Sequence, residues 1–170
     1  MKKKEYITLG VIGCGYWGPN LIRNFSSLSN CKVKIVSDMK IGRLEFIKSE
    51  FPYLEVTTDY KDILNDTEID AVCVATSVKT HAKIVKDALK ARKHVFVEKP
   101  MASSIKEAVS MQEIAKEYSK KLAVGHVFQF APAVMKIKEL ISNGIIGDVY
   151  HILSSRINLG PPNTEVDVIW

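Results

Sequence analysis

Apolar runs of strand length alternate with stripes of helical period along most of this chain. Tyr6 to Ile12 is an apolar run that fits a buried strand. Behind it Leu21, Ile22, Phe25 and Leu28 fall on one face of a helix. Cys31 to Ser37 predicts a second strand and Ile41 to Glu50 a helix. Val56 to Thr58 predicts a short third strand, followed by a helical turn over Tyr60 to Leu64. Ala71 to Ala75 is wholly apolar and predicts strand four. Thr80 to Ala91 predicts a helix that turns Ala82, Val85, Ala88 and Leu89 inward. His94 to Val97 predicts strand five. Ser104-Ile105-Lys106-Glu107 is a capping box; it opens a helix to about Lys120 that buries Ala108, Met111, Ala115 and Tyr118. Leu122 to Val127 predicts strand six. Alternation of this kind builds a parallel, doubly wound α/β sheet with right-handed crossovers.

The pattern changes near the end. Pro132 opens a helix over Ala133 to Ser142, which Asn143-Gly144 stops. Val149 to Leu159 then reads as one long strand. A strand with no sheet to join is unstable by itself. Its open edges, with Val149, Ile152, Leu153 and Ile157, invite pairing between copies of the chain. The expectation is therefore a homo-oligomer formed through the 145–170 segment.

The loop after strand one carries the first chemistry. It reads Gly13-Cys14-Gly15-Tyr16-Trp17-Gly18, between a strand and a helix, and Asp38 follows 20 residues past Gly18 at the end of strand two. That is the dinucleotide-binding fingerprint in the context it requires. Glycine tolerates the sharp turn and lets the backbone approach a pyrophosphate. The phosphates then meet the N–H groups and positive end of the helix. Pro19, at the helix start, loses no hydrogen bond there. Asp38 can accept hydrogen bonds from both ribose hydroxyls, and its charge repels a 2′-phosphate. NAD is the expected cofactor, with NADP disfavoured. Tyr16 and Trp17 lie in the same loop and join the candidate cofactor contacts.

In an open parallel sheet, ligands bind outside the carboxyl ends of the strands. Thr76 and Ser77 end strand four, and Glu98-Lys99-Pro100 ends strand five. Strands one and four should be neighbours across the switch point, so the crevice between them runs toward Lys99. The Lys99–Pro100 peptide is a candidate cis bond, as prolines at tight functional turns sometimes are.

Composition narrows the field little further. The chain has 170 residues, 46% hydrophobic and 25% charged, which suits a globular domain or one domain plus a fragment. No apolar stretch approaches a membrane span, and the run behind Lys2-Lys3-Lys4 is too short for a signal peptide. No membrane association is expected. Cys14, Cys31 and Cys73 are odd in number and scattered, which points to a reducing, cytoplasmic setting. None has a partner at metal spacing, so no metal is expected. Cys14 reads as filler in preference to a reactive thiol. Three of the five excess positive charges come from the lysine tail, and no basic stripe is interleaved with aromatics. Nucleic acid is therefore not an expected partner.

Ala75-Thr76-Ser77, His81 and Lys93-His94-Val95-Phe96-Val97-Glu98-Lys99-Pro100 resemble the core signature of the glucose–fructose oxidoreductase and inositol dehydrogenase family, Gfo/Idh/MocA. The resemblance covers essentially the whole chain. It implies a Rossmann domain over 1–128 and, over 129–170, the first part of a truncated α/β domain for substrate binding and dimerisation. It implies NAD(P)-dependent dehydrogenation of a sugar, cyclitol or nucleotide sugar, by hydride transfer between a hydroxyl-bearing carbon and the nicotinamide. Lys99 would contact the reacting hydroxyl and the nicotinamide ribose, and Glu98 would help to shape the nicotinamide pocket. Thr76, Ser77 and His81 would belong to the cofactor site. Ser77-Val78 stands where the family usually has Pro-Asn, and Arg92 where it usually has glycine.

Gly125-His126-Val127-Phe128, Pro132 and Arg156-Ile157-Asn158-Leu159-Gly160 resemble a subgroup, the bacterial UDP-sugar 3-dehydrogenases, including those acting on UDP-N-acetylglucosaminuronate. By that resemblance His126, Arg156 and Asn158 are candidate substrate contacts. The plainer alternatives are a strand-end histidine bonded to backbone and a solvated strand charge. The resembled proteins are about twice as long, and their acid/base histidine follows the position of Trp170; this chain is expected to bind NAD and to turn over poorly. A non-catalytic dinucleotide-binding module or remnant is the alternative reading.

Overall fold

The computed structural model of the protein describes residues 6–155 and 157. The strands are β1 (Ile7–Ile12), β2 (Cys31–Ser37), β3 (Glu55–Thr57), β4 (Ala71–Val74), β5 (His94–Val97) and β6 (Leu122–Val124). The helices are α1 (Gly18–Ser26), α2 (Ile41–Glu50), α3 (Tyr60–Asn65), α4 (Val78–Lys90), α5 (Ile105–Glu117) and α6 (Pro132–Ser142). Two compact units divide the chain, one ending at His126 and the other opening at Val127.

All six strands of the first unit pair in parallel, in the order β3-β2-β1-β4-β5-β6. The order reverses between β1 and β4, which makes that junction the switch point. Both faces of such a sheet are covered, so its strands are apolar on both sides. Successive residues point to opposite faces. Val72 and Val74 accordingly enter one core layer with Ile63, Val85, Leu89 and Met111. Cys73 enters the other, with Leu9, Val11, Ile22, Val36, Ile47 and Leu54. Ala82, Val85, Ala88 and Leu89 form the buried stripe of α4 that their spacing predicts.

Local signals set most element ends. Ser104 Oγ accepts the Glu107 N–H at 3.2 Å and starts α5. The Glu107 carboxylate reaches back to the Ser103 N–H at 3.0 Å, one residue upstream of the usual capping-box partner. Asp59 caps α3 by accepting the Lys61 N–H at 2.9 Å.

Three expectations need correction. Leu28 is 48% exposed beyond the end of α1, because the chain already turns toward β2 there, with the Cys31 N–H on the Leu28 carbonyl at 3.1 Å. β6 stops at Val124, and Val127–Phe130 is a short 3-10 turn. The reason is that β6 pairs only with β5, whose last residue, Val97, takes the Gly125 N–H at 2.9 Å and leaves nothing opposite the following residues. Residues 149–155 form no strand, since no strand lies alongside them among the described residues.

Candidate functional site

The β1–α1 loop turns at Gly13, whose φ of +101° is left-handed. A Cβ there would stand 2.6 Å from the Ala75 carbonyl oxygen on the neighbouring strand end. At Gly18 a Cβ would stand 2.3 Å from the Gly13 carbonyl oxygen, so this glycine closes α1 onto the loop. Gly15 differs from both. The nearest atom to a Cβ built there is Arg43 Nη1 at 3.8 Å, which leaves space over its backbone. α1 opens behind it with Trp17 at the N-cap and no side-chain cap, and Pro19 in the first turn. Its first N–H groups and the positive end of its dipole are left for a ligand anion. Tyr16 is exposed and meets Trp17 edge to face, with ring centroids 5.5 Å apart.

Asp38, just past β2, is buried against this loop. Its Oδ2 accepts the Cys14 N–H at 2.7 Å, and Oδ1 accepts the Lys40 N–H at 2.9 Å. Arg43 Nη1 lies 3.3 Å from Oδ2. The carboxylate therefore fixes the glycine loop against the end of β2. Cys14 is buried, and its Sγ lies 3.8 Å from the Ser37 carbonyl oxygen. Burial, aided by the Asp38 charge and opposed by Arg43, pushes its pKa up to about 12. Cys14 is thus a packing thiol; a helix N-terminus alone does not make it a nucleophile.

The β4 and β5 ends supply the other half. Thr76 is half-buried, and Ser77 is the exposed N-cap residue of α4. Thr80 Oγ1 lies 2.8 Å from both Thr76 Oγ1 and the Ser77 carbonyl oxygen. His81 is buried, with Nδ1 2.9 Å from the Pro100 carbonyl oxygen and Nε2 3.0 Å from that of Thr76. Glu98 is buried too; its N–H donates to the Val74 carbonyl at 2.9 Å and its Oε2 accepts the Lys99 N–H at 3.2 Å. A Cβ on Gly125 would press on that carboxylate at 3.1 Å. Lys99 is exposed, and the peptide joining it to Pro100 is cis.

The fold thus gathers Gly13, Gly15, Gly18, Asp38, Thr76, Ser77, Glu98 and Lys99 at the carboxyl ends of β1, β2, β4 and β5. His126 is exposed after β6, its N–H on the Val124 carbonyl at 2.7 Å. Arg156 and Asn158 lie outside the described residues. Arg43 is a site residue that the sequence reading missed. Its signal was present: a basic residue in the first turn of the helix that follows the strand-two carboxylate. The open space at Gly15, the uncapped helix and the carboxylate together fit a dinucleotide. Among the described residues no cluster of His, Cys, Asp or Glu could hold a metal ion, and no helix is long and apolar enough to cross a membrane.

Residues 7–126 match the Gfo/Idh/MocA family model, an oxidoreductase family with an NAD-binding Rossmann fold. An uncharacterized oxidoreductase of Bacillus subtilis, YrbE, is 31% identical over 161 residues, which are 95% of this chain and 47% of that one. The myo-inositol 2-dehydrogenase of Thermotoga maritima is 31% identical over 155 residues, 91% of this chain and 46% of that one. A crystal structure of scyllo-inositol dehydrogenase from Lactobacillus casei, with bound NAD(H) and scyllo-inositol, superposes with a TM-score of 0.79 at 28% identity. It covers 84% of this chain and 43% of that one. The chain spans about half the length of the curated relatives it matches.

Proposed function

The chain belongs to the Gfo/Idh/MocA oxidoreductases, and on that premise we propose that it forms the cofactor-binding part of a dehydrogenase acting on a hydroxyl of a sugar or cyclic polyol. The observation that carries this reading is the open space over Gly15, between two glycines whose places a Cβ cannot take, at the start of a helix with no side-chain cap.

In this reading Gly15 and the α1 N-terminus hold the diphosphate. Asp38 binds the adenosine ribose: a carboxylate has about four acceptor positions, and Arg43, partly exposed at 3.3 Å, is the partner that yields. The Asp38 charge disfavours a 2′-phosphate and so favours NAD; Arg43 tempers that preference without reversing it. Tyr16 and Trp17 cover the outer side of the loop. Thr76, Ser77 and Glu98 line the nicotinamide half. Bound NAD supplies the hydride acceptor. Lys99 contacts the reacting hydroxyl, and its side-chain nitrogen as the neutral amine takes that proton as the hydride leaves; since the side chain is exposed, whatever dries it comes from the ligand or from residues beyond the first unit.

Two substrate readings share one chemistry, a secondary alcohol on a polyhydroxylated ring. The inositol dehydrogenases among the relatives support a cyclic polyol. The motifs around His126 and over Arg156 to Gly160 support a UDP-sugar, with His126, Arg156 and Asn158 as contacts. Residues 129–170 would open the substrate and dimerisation domain in either case.

Calorimetric titration tests the premise: NAD is expected to bind and NADP to bind more weakly. A flat trace with NAD at millimolar concentration would overturn the proposal. NADH formation with inositols and with UDP-sugars then separates the two substrate readings. Binding with no turnover on any alcohol would favour a dinucleotide-binding module, which the exposed position of Lys99 already suits.

A further inference from the structure

His81 sits in the first turn of α4 and is 1% exposed. Its two ring nitrogens face two different carbonyl oxygens, that of Pro100 at 2.9 Å and that of Thr76 at 3.0 Å. The two carbonyls belong to separate loops, one after β4 and one after β5. A neutral ring donates to one of them and only a protonated ring to both; in each case a rigid planar ring stands between the two loops. A histidine that merely filled space would need no such pair of partners.

Both loops lie on the β4–β5 side of the switch point. With the adenosine ribose at Asp38 beyond β2, that side faces the nicotinamide half of the dinucleotide. Each end of the ring meets a site residue. Thr76 supplies one carbonyl, and Lys99 immediately precedes the residue that supplies the other. The same loops are held from a second side by Thr80 on Thr76 and Ser77, and by Glu98 on the Lys99 N–H.

We infer that His81 is a positioning residue: tied to the Thr76 and Pro100 carbonyls, it sets the opening between the two loops that receives the nicotinamide half, and so aims Lys99 without touching the ligand. The inference rests on the dinucleotide reading above and changes the part expected of His81 from contact to strut.

The test compares NADH with ADP-ribose, which lacks the nicotinamide, on the intact chain carrying His81→Leu or His81→Gln. Leucine removes the ring's hydrogen bonding altogether, and glutamine keeps a donor but lacks the planar ring that stands between the two carbonyls. A strut at the nicotinamide half weakens NADH binding about tenfold in either variant and leaves ADP-ribose within about twofold. Equal losses for both ligands, or no loss for either, would overturn the inference. If His81→Leu does not fold, His81→Gln decides by the same split. Failure of the wild-type chain to bind either ligand would instead overturn the cofactor reading, so the two failures are distinguishable.

Discussion

At the scale of single residues, the three glycines of the β1–α1 loop divide the work between fold and ligand. Gly13 and Gly18 are held by backbone atoms 2.6 and 2.3 Å from where a Cβ would stand, whereas Gly15 has no neighbour within 3.5 Å and its nearest lies at 3.8 Å. Gly18→Ala must therefore push α1 away from the loop, and chemical denaturation should show a loss of about 3 kcal/mol. Gly15→Ala should leave the denaturation midpoint almost unchanged, because its φ lies outside the left-handed region and space is available. In the proposed site its methyl group stands where the diphosphate would approach, and NAD affinity by calorimetry should fall at least about tenfold. The spacing Gly-x-Gly-x-x-Gly was legible in the chain. Which glycine has space over it was not, since that depends on Ala75 and Arg43, brought close from far along the sequence.

At the scale of elements, both long helices beside β5 end in the left-handed region without glycine. Arg92 follows α4 with a φ of 62°, and Ser119 follows α5 with a φ of 53°. The Lys93 N–H on the Ala88 carbonyl at 3.0 Å completes the cap after Arg92. A side chain at this position costs energy that glycine avoids. Arg92→Gly should raise stability by about 0.5–1 kcal/mol, read from the thermal midpoint. The family resemblance puts glycine at this position, and the backbone angle gives the physical reason. β5 itself starts at His94, whose Nδ1 accepts the Lys121 N–H at 3.0 Å and must be unprotonated to do so. Burial first, then the Lys120 charge, hold its pKa below the ordinary 6.5, with Asp70 acting in the opposite sense. On acidification the unfolded chain takes up this proton before the folded one does. The contribution is complete above about pH 6.5 and is lost as pH falls through the folded value. The melting temperature should drop as pH falls below about 6.5, and His94→Gln should flatten that slope. Asp66, held below its ordinary 3.8 chiefly by the hydrogen bond from Lys34, acts only at lower pH.

At the scale of the whole molecule, the two units differ in how they dispose of apolar surface. The first buries its large aliphatic side chains in two layers around the sheet. In the second, Val134, Met135, Ile137 and Ile141 of α6 are exposed, as are Ile145, Ile146, Ile152 and Leu153 after it. Exposed apolar side chains in such number are what a self-associating segment would present. The proposed self-association through the 145–170 segment predicts a light-scattering mass above that of the monomer. It also predicts that Ile152→Asp with Leu153→Asp lowers that mass while leaving NAD binding by the first unit intact. A monomeric wild-type chain across the accessible concentration range would count against self-association.

The element order, the parallel class of the sheet and the residues collected at its carboxyl edge follow from local information. Hydrophobic period assigns each strand and helix, glycine spacing marks the phosphate loop, and alternation of strand with helix dictates where loops gather. The tertiary structure alone decided which partners those residues take. Asp38 is spent partly on the Cys14 N–H, Arg43 lies over Gly15, and His81 bridges Thr76 and Pro100. It also ended β6 at Val124, because a strand lasts only as long as the neighbour that pairs with it. These outcomes turn on hydrogen bonds between segments far apart in the chain, and no local periodicity records the distance between two loops.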